Sequence, residues 1–201
     1  MIADSWGGFV AWVWPPRCWV CGAPADVGGT CAAHAVQAGL SGARCGVCAG
    51  ELPDGILDGV RCARCRREGR AFLSTVAAFD YGDPAVREWV LRYKHGGRVD
   101  LVVPLAGLLR TALEGHGFVL SDHDRLVPVP LHVSRLVERG YDQAALLAAE
   151  VARGTGARVQ AVLTRVRATP PQGAQLGPTR ANNVRGAFQV CLLYTSPSPR
   201  D

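Results

Sequence analysis

From Phe72 onward the apolar positions switch between two periods. Phe72 to Tyr81 reads as a strand, and Asp83 followed by Pro84 supplies a cap and a first-turn proline for a helix. Val86, Trp89, Val90 and Tyr93 then fall at i, i+3, i+4 and i+7, which predicts one packed face with Arg87, Arg92 and Lys94 outside and Gly96 and Gly97 as the stop. The helical period returns over Val102 to Leu113 and again over Gln143 to Ala152. Leu126 to Leu131, punctuated by Pro128 and Pro130, reads as a short buried strand, and Val159 to Leu163 as a further one. Strand, helix and strand in turn predict an α/β fold with a parallel sheet and ligand loops at the strand ends.

Ahead of residue 72 neither period is sustained. Trp6 to Trp14 is apolar and aromatic but lacks a basic stretch before it, and Pro15, Pro16, Arg17 and Cys18 stand where a cleavage site would fall. It is therefore read as a segment packed on the fold and not as a signal peptide, with a partner-docking or membrane-surface role as the alternative. No run approaches the roughly 18 to 20 apolar residues of a membrane-spanning helix. The resulting division is 1–17 as an apolar N-terminal segment, 18–71 as a cysteine-rich domain, 72–190 as the α/β domain and 191–201 as a tail.

The 201 residues, 48% hydrophobic and 19% charged, exclude a disordered chain or a coiled coil. A formal charge of +5 is too mild to declare a nucleic-acid binder. The cysteines change the picture more. Cys18 and Cys21, Cys45 and Cys48, and Cys62 and Cys65 form three Cys-x-x-Cys knuckles, and Cys31 with His34 forms a Cys-x-x-His pair. Eight donors in four pairs suit two tetrahedral zinc sites, because a two-residue gap lets both side chains of a tight turn reach one ion. Gly22 and Gly46 allow the backbone to curl so that amides face the sulfurs. A disulfide framework is the rival, but it would favour an even count and a targeting signal, whereas the cluster between 18 and 65 holds seven cysteines and no signal is read before it; a redox Cys-x-x-Cys would be single. Consecutive and interleaved pairing both remain open, as does a coincidental His34. Seven thiolates and two divalent ions would bring the formal charge from +5 to +2.

After the strand at Leu126, the residues Val129, Pro130, Leu131 and His132 lead to Arg135, Arg139, Gly140, Tyr141 and Gln143. Arginine forks and a helix start suit a phosphate; a solvated helix face with Glu138 is the alternative. Arg165 to Asn183 is polar and proline-rich, the composition of a lid or a disordered loop.

The order of these pieces resembles the ComF family: four knuckles, Tyr93 to Gly96, Pro128 to His132, Arg139 to Gln143, then Gln172, Leu176, Arg180, Asn183, Val184, Ala187 and Phe188. The resemblance covers about positions 15 to 190. It implies a small double zinc-ribbon domain preceding a type I phosphoribosyltransferase-like parallel sheet, and an association with DNA uptake in competence. Through it, Val129 to His132 corresponds to the pyrophosphate loop and Arg165 to Asn183 to the hood over the site. Val129, Pro130, Leu131, His132, Arg135, Arg139, Gln143, Arg180 and Asn183 are then the expected binders of phosphoribosyl pyrophosphate with magnesium, a cofactor pair belonging to the full-length parent. Tyr141 and Asp142 replace the usual Phe and Asn, and Arg98 stands where Asp is usual.

Such transferases also carry an adjacent acidic pair followed by a Thr-Thr-Gly-x-Thr loop, which this sequence lacks. Cys191 to Asp201 resembles translated adapter read-through, so the expectation is an incomplete sheet, truncated after about Val190 and inactive as a transferase. A zinc-ribbon nucleic-acid-binding or scaffold accessory, meeting single-stranded DNA through Arg61, Arg64, Arg66, Arg67 and Arg70 or docking a competence helicase, is the alternative function. The expected location is cytoplasmic, with peripheral contact at the inner membrane face left open.

Overall fold

The structure is a computed structural model that describes residues 15–18, 20–25, 30–35, 39–40, 42–170 and 182–191. Trp6 to Trp14, positions 171–181 with Gln172, Leu176 and Arg180, and the tail from 192 lie outside the described residues. The chain divides into two compact units, Met1–Val119 and Leu120–Asp201. Together they make a mixed helix and strand protein with one small parallel sheet.

In the first unit a 3-10 turn, Ala32–His34, and helix α1, Ala63–Glu68, each begin at a cysteine. Helix α2, Pro84–His95, starts where Asp83 Oδ1 accepts the amides of Ala85 (2.8 Å) and Val86 (3.2 Å), and Gly96 closes it. Val86, Trp89 and Tyr93 are buried, as their spacing requires. A second 3-10 turn, Val99–Leu101, leads into α3, Val102–Gly115, which buries Leu105, Ala106 and Ala112. Leu101 is fully buried where α2 and α3 both meet this turn.

Phe72 to Tyr81 departs from the expected strand. It runs as bends and irregular backbone, with Leu73 94% exposed. Its apolar residues have no described strand beside them, and an unpaired segment gains nothing from extended pleating. The Ala78 carbonyl instead accepts the Gly39 amide at 2.7 Å.

In the second unit, β1 (Arg125–Leu126) and β2 (Arg158–Val159) pair in parallel, with Arg125 opposite Arg158 and Leu126 opposite Val159. Between them run helices α4, Val133–Arg139, and α5, Gln143–Ala152. The Gln160 amide extends the ladder to Leu126 O at 2.9 Å, and β1 then stops, because Pro128 and Pro130 have no N–H to continue it. Leu126 to Leu131 is accordingly shorter and more exposed than the expected buried strand: Val129 is 57% exposed. The expected strand Val159 to Leu163 is split between β2 and β3, Leu163–Arg165; β3 pairs antiparallel with β4, Phe188–Val190. The described strands thus form two separate two-stranded sheets, one of each kind.

Candidate metal centres

Both metal-ligand groups lie in the first unit. Cys18, Cys21, Cys31 and His34 converge in one cluster, and Cys45, Cys48, Cys62 and Cys65 in another, with the donor atoms of each cluster within 4.8 Å of one another. The pairing is consecutive.

Each cluster is built from the same local parts. Cys18 N–H donates to Ala23 O (2.7 Å) and Gly22 N–H to Cys18 O (2.9 Å); 27 positions on, Cys45 N–H donates to Gly50 O (2.9 Å) and Ala49 N–H to Cys45 O (2.9 Å). Antiparallel bridges flank both knuckles, Arg17 with Pro24 and Arg44 with Glu51. The turn needs a left-handed residue, supplied by Gly22 (φ 75°) in one knuckle and by Ala49 (φ 53°) in the other. Gly46 also meets a spatial demand, since a Cβ there would stand 2.5 Å from the Gly59 carbonyl oxygen. The second pair of donors opens a helical turn in each case, the 3-10 turn after Cys31 and α1 after Cys62, whose sulfur accepts the Cys65 amide at 3.4 Å.

These turns aim amides at sulfur. Burial acts to raise the Cys18 pKa, but the amides of Cys21, Cys31 and Val20 outweigh it and lower it to about 6. The corresponding amides of Cys48, Cys62 and Val47 lower Cys45 to about 6, and Cys62 N–H lies 3.2 Å from its sulfur. Cys62 is lowered too, chiefly by the Cys65 amide. At Cys48 the Gly50 amide pulls downward, yet the Cys65 sulfur, desolvation and the other thiols push it up to about 11. Cys21 is raised in the same way against the Ala23 amide, by desolvation and by Cys18 and Cys31. Each cluster therefore combines amides that call for thiolates with thiolates that repel one another, a conflict a bound cation resolves.

The spacing fits a tetrahedral metal ion and not a disulfide. Cys21 and Cys31 sulfurs are 3.7 Å apart and Cys48 and Cys62 sulfurs 3.8 Å, while His34 Nδ1 lies 3.2 Å from Cys31 and 3.6 Å from Cys18. A disulfide needs about 2.05 Å. Sulfurs at the corners of a tetrahedron with metal bonds of about 2.3 Å stand about 3.8 Å apart. Soft sulfur and imidazole donors in that arrangement suit zinc, and two closed four-donor sets suit structural sites that contribute directly to folding.

The surroundings differ. Arg70 lies beside the second cluster, and its guanidinium pKa is raised first by a hydrogen bond to Cys65, then by the charges of Cys65, Glu68 and Cys48. Its Nε is buried with no hydrogen-bond partner. No signal at Arg70 stood out in the sequence beyond its place in a basic run. Of that run, Arg64 and Arg70 pair with Glu68 at 3.1 and 3.6 Å, whereas Arg61, Arg66 and Arg67 are exposed and make no ion pair among the described residues.

In the second unit the expected phosphate residues divide. Asp142, absent from the expected binders, ties one of them, Leu131, to the start of α5: Oδ2 accepts the Leu131 amide at 3.1 Å, and Oδ1 accepts the Ala144 and Ala145 amides at 2.9 and 3.0 Å, capping α5. An aspartate just before a strong apolar helix is the signal that locates it. Val129 and Pro130 lead into this turn. His132 caps α4 by accepting the Ser134 amide at 3.3 Å, and Gly140 closes α4 with φ 78°. Arg135 pairs with Glu138 at 2.6 Å, as on an ordinary helix face, and Arg139 donates to Gln143 Oε1 at 2.9 Å. Burial raises the Tyr141 pKa. Asn183 is engaged elsewhere, donating to Pro170 O at 3.1 Å while its own carbonyl accepts Arg167 at 3.0 Å. Arg165 bonds Thr169 and stacks on Phe188 at 5.4 Å. Among the described residues only the two cysteine-containing clusters gather three or more metal donors, so no carboxylate set for magnesium is assembled. No described helix is long and apolar enough to cross a membrane.

Comparison with protein-family models, with curated proteins and with solved structures finds no match for this chain.

Proposed function

We propose that the protein is a zinc-stapled, phosphoribosyltransferase-related protein of the ComF type. Two structural zinc ions hold its cysteine-rich residues as a double ribbon, and in the full-length protein its α/β unit binds phosphoribosyl pyrophosphate in the service of DNA uptake. The observation that carries the zinc part is the pair of four-donor clusters at tetrahedral spacing. The ligand part draws support from the resemblance in motif order and from the parallel β1–α4–α5–β2 arrangement, which sets the Val129 to His132 turn at the end of a parallel strand. Arg139, half-buried beside Gln143, is the residue assigned to the pyrophosphate. Magnesium would arrive on the pyrophosphate, as is usual where protein carboxylates do not cage it. Calorimetry of the full-length protein with phosphoribosyl pyrophosphate and magnesium tests this: saturable heat that is lost in Arg139→Ala is expected, and no heat at millimolar ligand would overturn the ligand part.

The exposed, unpaired Arg61, Arg66 and Arg67 favour a second reading, backbone contact with single-stranded DNA through α1 and its approach. Its signature is affinity that falls steeply with salt and is reduced when these three arginines become glutamine.

A further inference from the structure

The fourth donor of the first centre is attached to more than its own knuckle. The Ala32–His34 turn packs on α2, and the contact carries chemistry. His34 turns Nδ1 to the sulfurs of Cys31 and Cys18, which leaves Nε2 pointing away from the cluster. Glu88 Oε2 stands 3.9 Å from that nitrogen. The other oxygen of the same carboxylate is occupied: Arg92, one turn along α2, donates to Oε1 from Nε at 2.9 Å and from Nη2 at 2.7 Å. The arginine thus holds one carboxylate oxygen and leaves the second directed at the histidine. Burial of Val86, Trp89 and Tyr93 fixes the rotation of α2 and so the face that carries Glu88 and Arg92.

We infer that Glu88 is a positioning residue of the first metal centre, braced by Arg92. It selects the His34 tautomer with the proton on Nε2 and the lone pair on Nδ1. A histidine can present only one ring nitrogen to a metal, and a carboxylate facing the other nitrogen fixes which one, orients the ring and raises its basicity. At 3.9 Å the carboxylate lies about 1 Å beyond a hydrogen bond and acts on the neutral ring through its charge. The carboxylate lies on α2, outside the cysteine-rich stretch, so occupancy of the first centre and the seating of α2 support each other. This inference rests on the reading of His34 as a ligand.

The test uses the full chain loaded with zinc, a chromophoric chelator that resolves the two sites, and nitrogen NMR of the histidine rings. Glu88→Ala should weaken the first site about ten- to a hundredfold, leave the second unchanged, and replace the single Nδ1-bound, Nε2-protonated pattern of His34 with a broadened or mixed one. Glu88→Gln, which keeps an accepting oxygen, should recover part of the loss, and Arg92→Ala should show a smaller loss at the same site. Wild-type first-site affinity and an unchanged His34 pattern in Glu88→Ala would overturn the inference. So would equal weakening of both sites with loss of helical circular dichroism, because Glu88 would then act through folding of α2. His34→Ala separates the underlying assignment: if that variant still binds two zinc ions at wild-type affinity, His34 is not a ligand and the reading beneath the inference fails instead.

Discussion

The two metal centres share one half and differ in the other. Their first knuckles superpose residue for residue at an offset of 27 positions in hydrogen bonds, bridges and the left-handed turn residue. Their second pairs and surroundings diverge. The first centre closes with an imidazole and faces a carboxylate, Glu88; the second closes with a fourth sulfur and faces a guanidinium, Arg70. Zinc with three thiolates and a neutral imidazole is a monoanion, whereas zinc with four thiolates is a dianion. A carboxylate can help the first by polarising the histidine, and it would only repel the second. A cation beside the second offsets charge that burial makes costly. The first centre has a cation near it as well: the Arg98 guanidinium, paired with Asp100, also feels the charge of Cys18.

The difference predicts unequal consequences of losing each centre. Cys45 and Cys65 are themselves core, packed with Val47 and Leu52, so this part of the molecule has little apolar material apart from its ligands. Cys45→Ser should remove one zinc and unfold the second ribbon, since a structural zinc supplies on the order of 10 kcal/mol of folding free energy. Cys21→Ser, at an exposed ligand, should remove one zinc with a smaller loss of structure. Metal analysis with circular dichroism on both variants measures the contrast, and equal losses would break it.

Arg70→Gln comes next. It should lower stability and speed zinc transfer to a chelator from the second centre only. Faster release from both would show that Arg70 acts on the fold and not on the local charge. Smaller still is an exchange within the shared half. Ala49→Gly should raise stability by up to about 1 kcal/mol by relieving a left-handed alanine, and Gly22→Ala should lower it by about 1–2 kcal/mol. Thermal melts of the zinc-loaded chain check both signs. The least effect belongs to Arg64→Ala, which removes an exposed i, i+4 pair with Glu68 and should leave the midpoint of chemical denaturation almost unchanged.

The sequence made these centres legible because a Cys-x-x-Cys spacing encodes a local turn. The four pairs could be read without knowing the fold, and what could not be read was their order of pairing or the charged neighbour that each acquires from a distant element. Helices were equally plain where a cap met a long apolar period: Asp83 with Pro84 starts α2, and Asp142 starts α5 over the bounds that Gln143 to Ala152 implied. Strands were not. Phe72 to Tyr81 and Leu126 to Leu131 have suitable side chains, but a strand exists only if a partner lies beside it. Proline at 128 and 130 limits one, and absence of a described neighbour leaves the other irregular. In the proposed phosphate turn the arginines were visible from composition, while their occupation by Glu138 and Gln143, and the joining role of Asp142, depend on helix geometry that spacing alone left between two readings.

X-ray absorption at the zinc edge of the purified full chain, with metal quantified on the same sample, tests the central claim most directly. The account predicts two zinc ions per chain, a shell of sulfur at about 2.3 Å, and an average composition of seven sulfurs to one nitrogen over the two ions. One ion or none, or a shell dominated by oxygen and nitrogen, would contradict it.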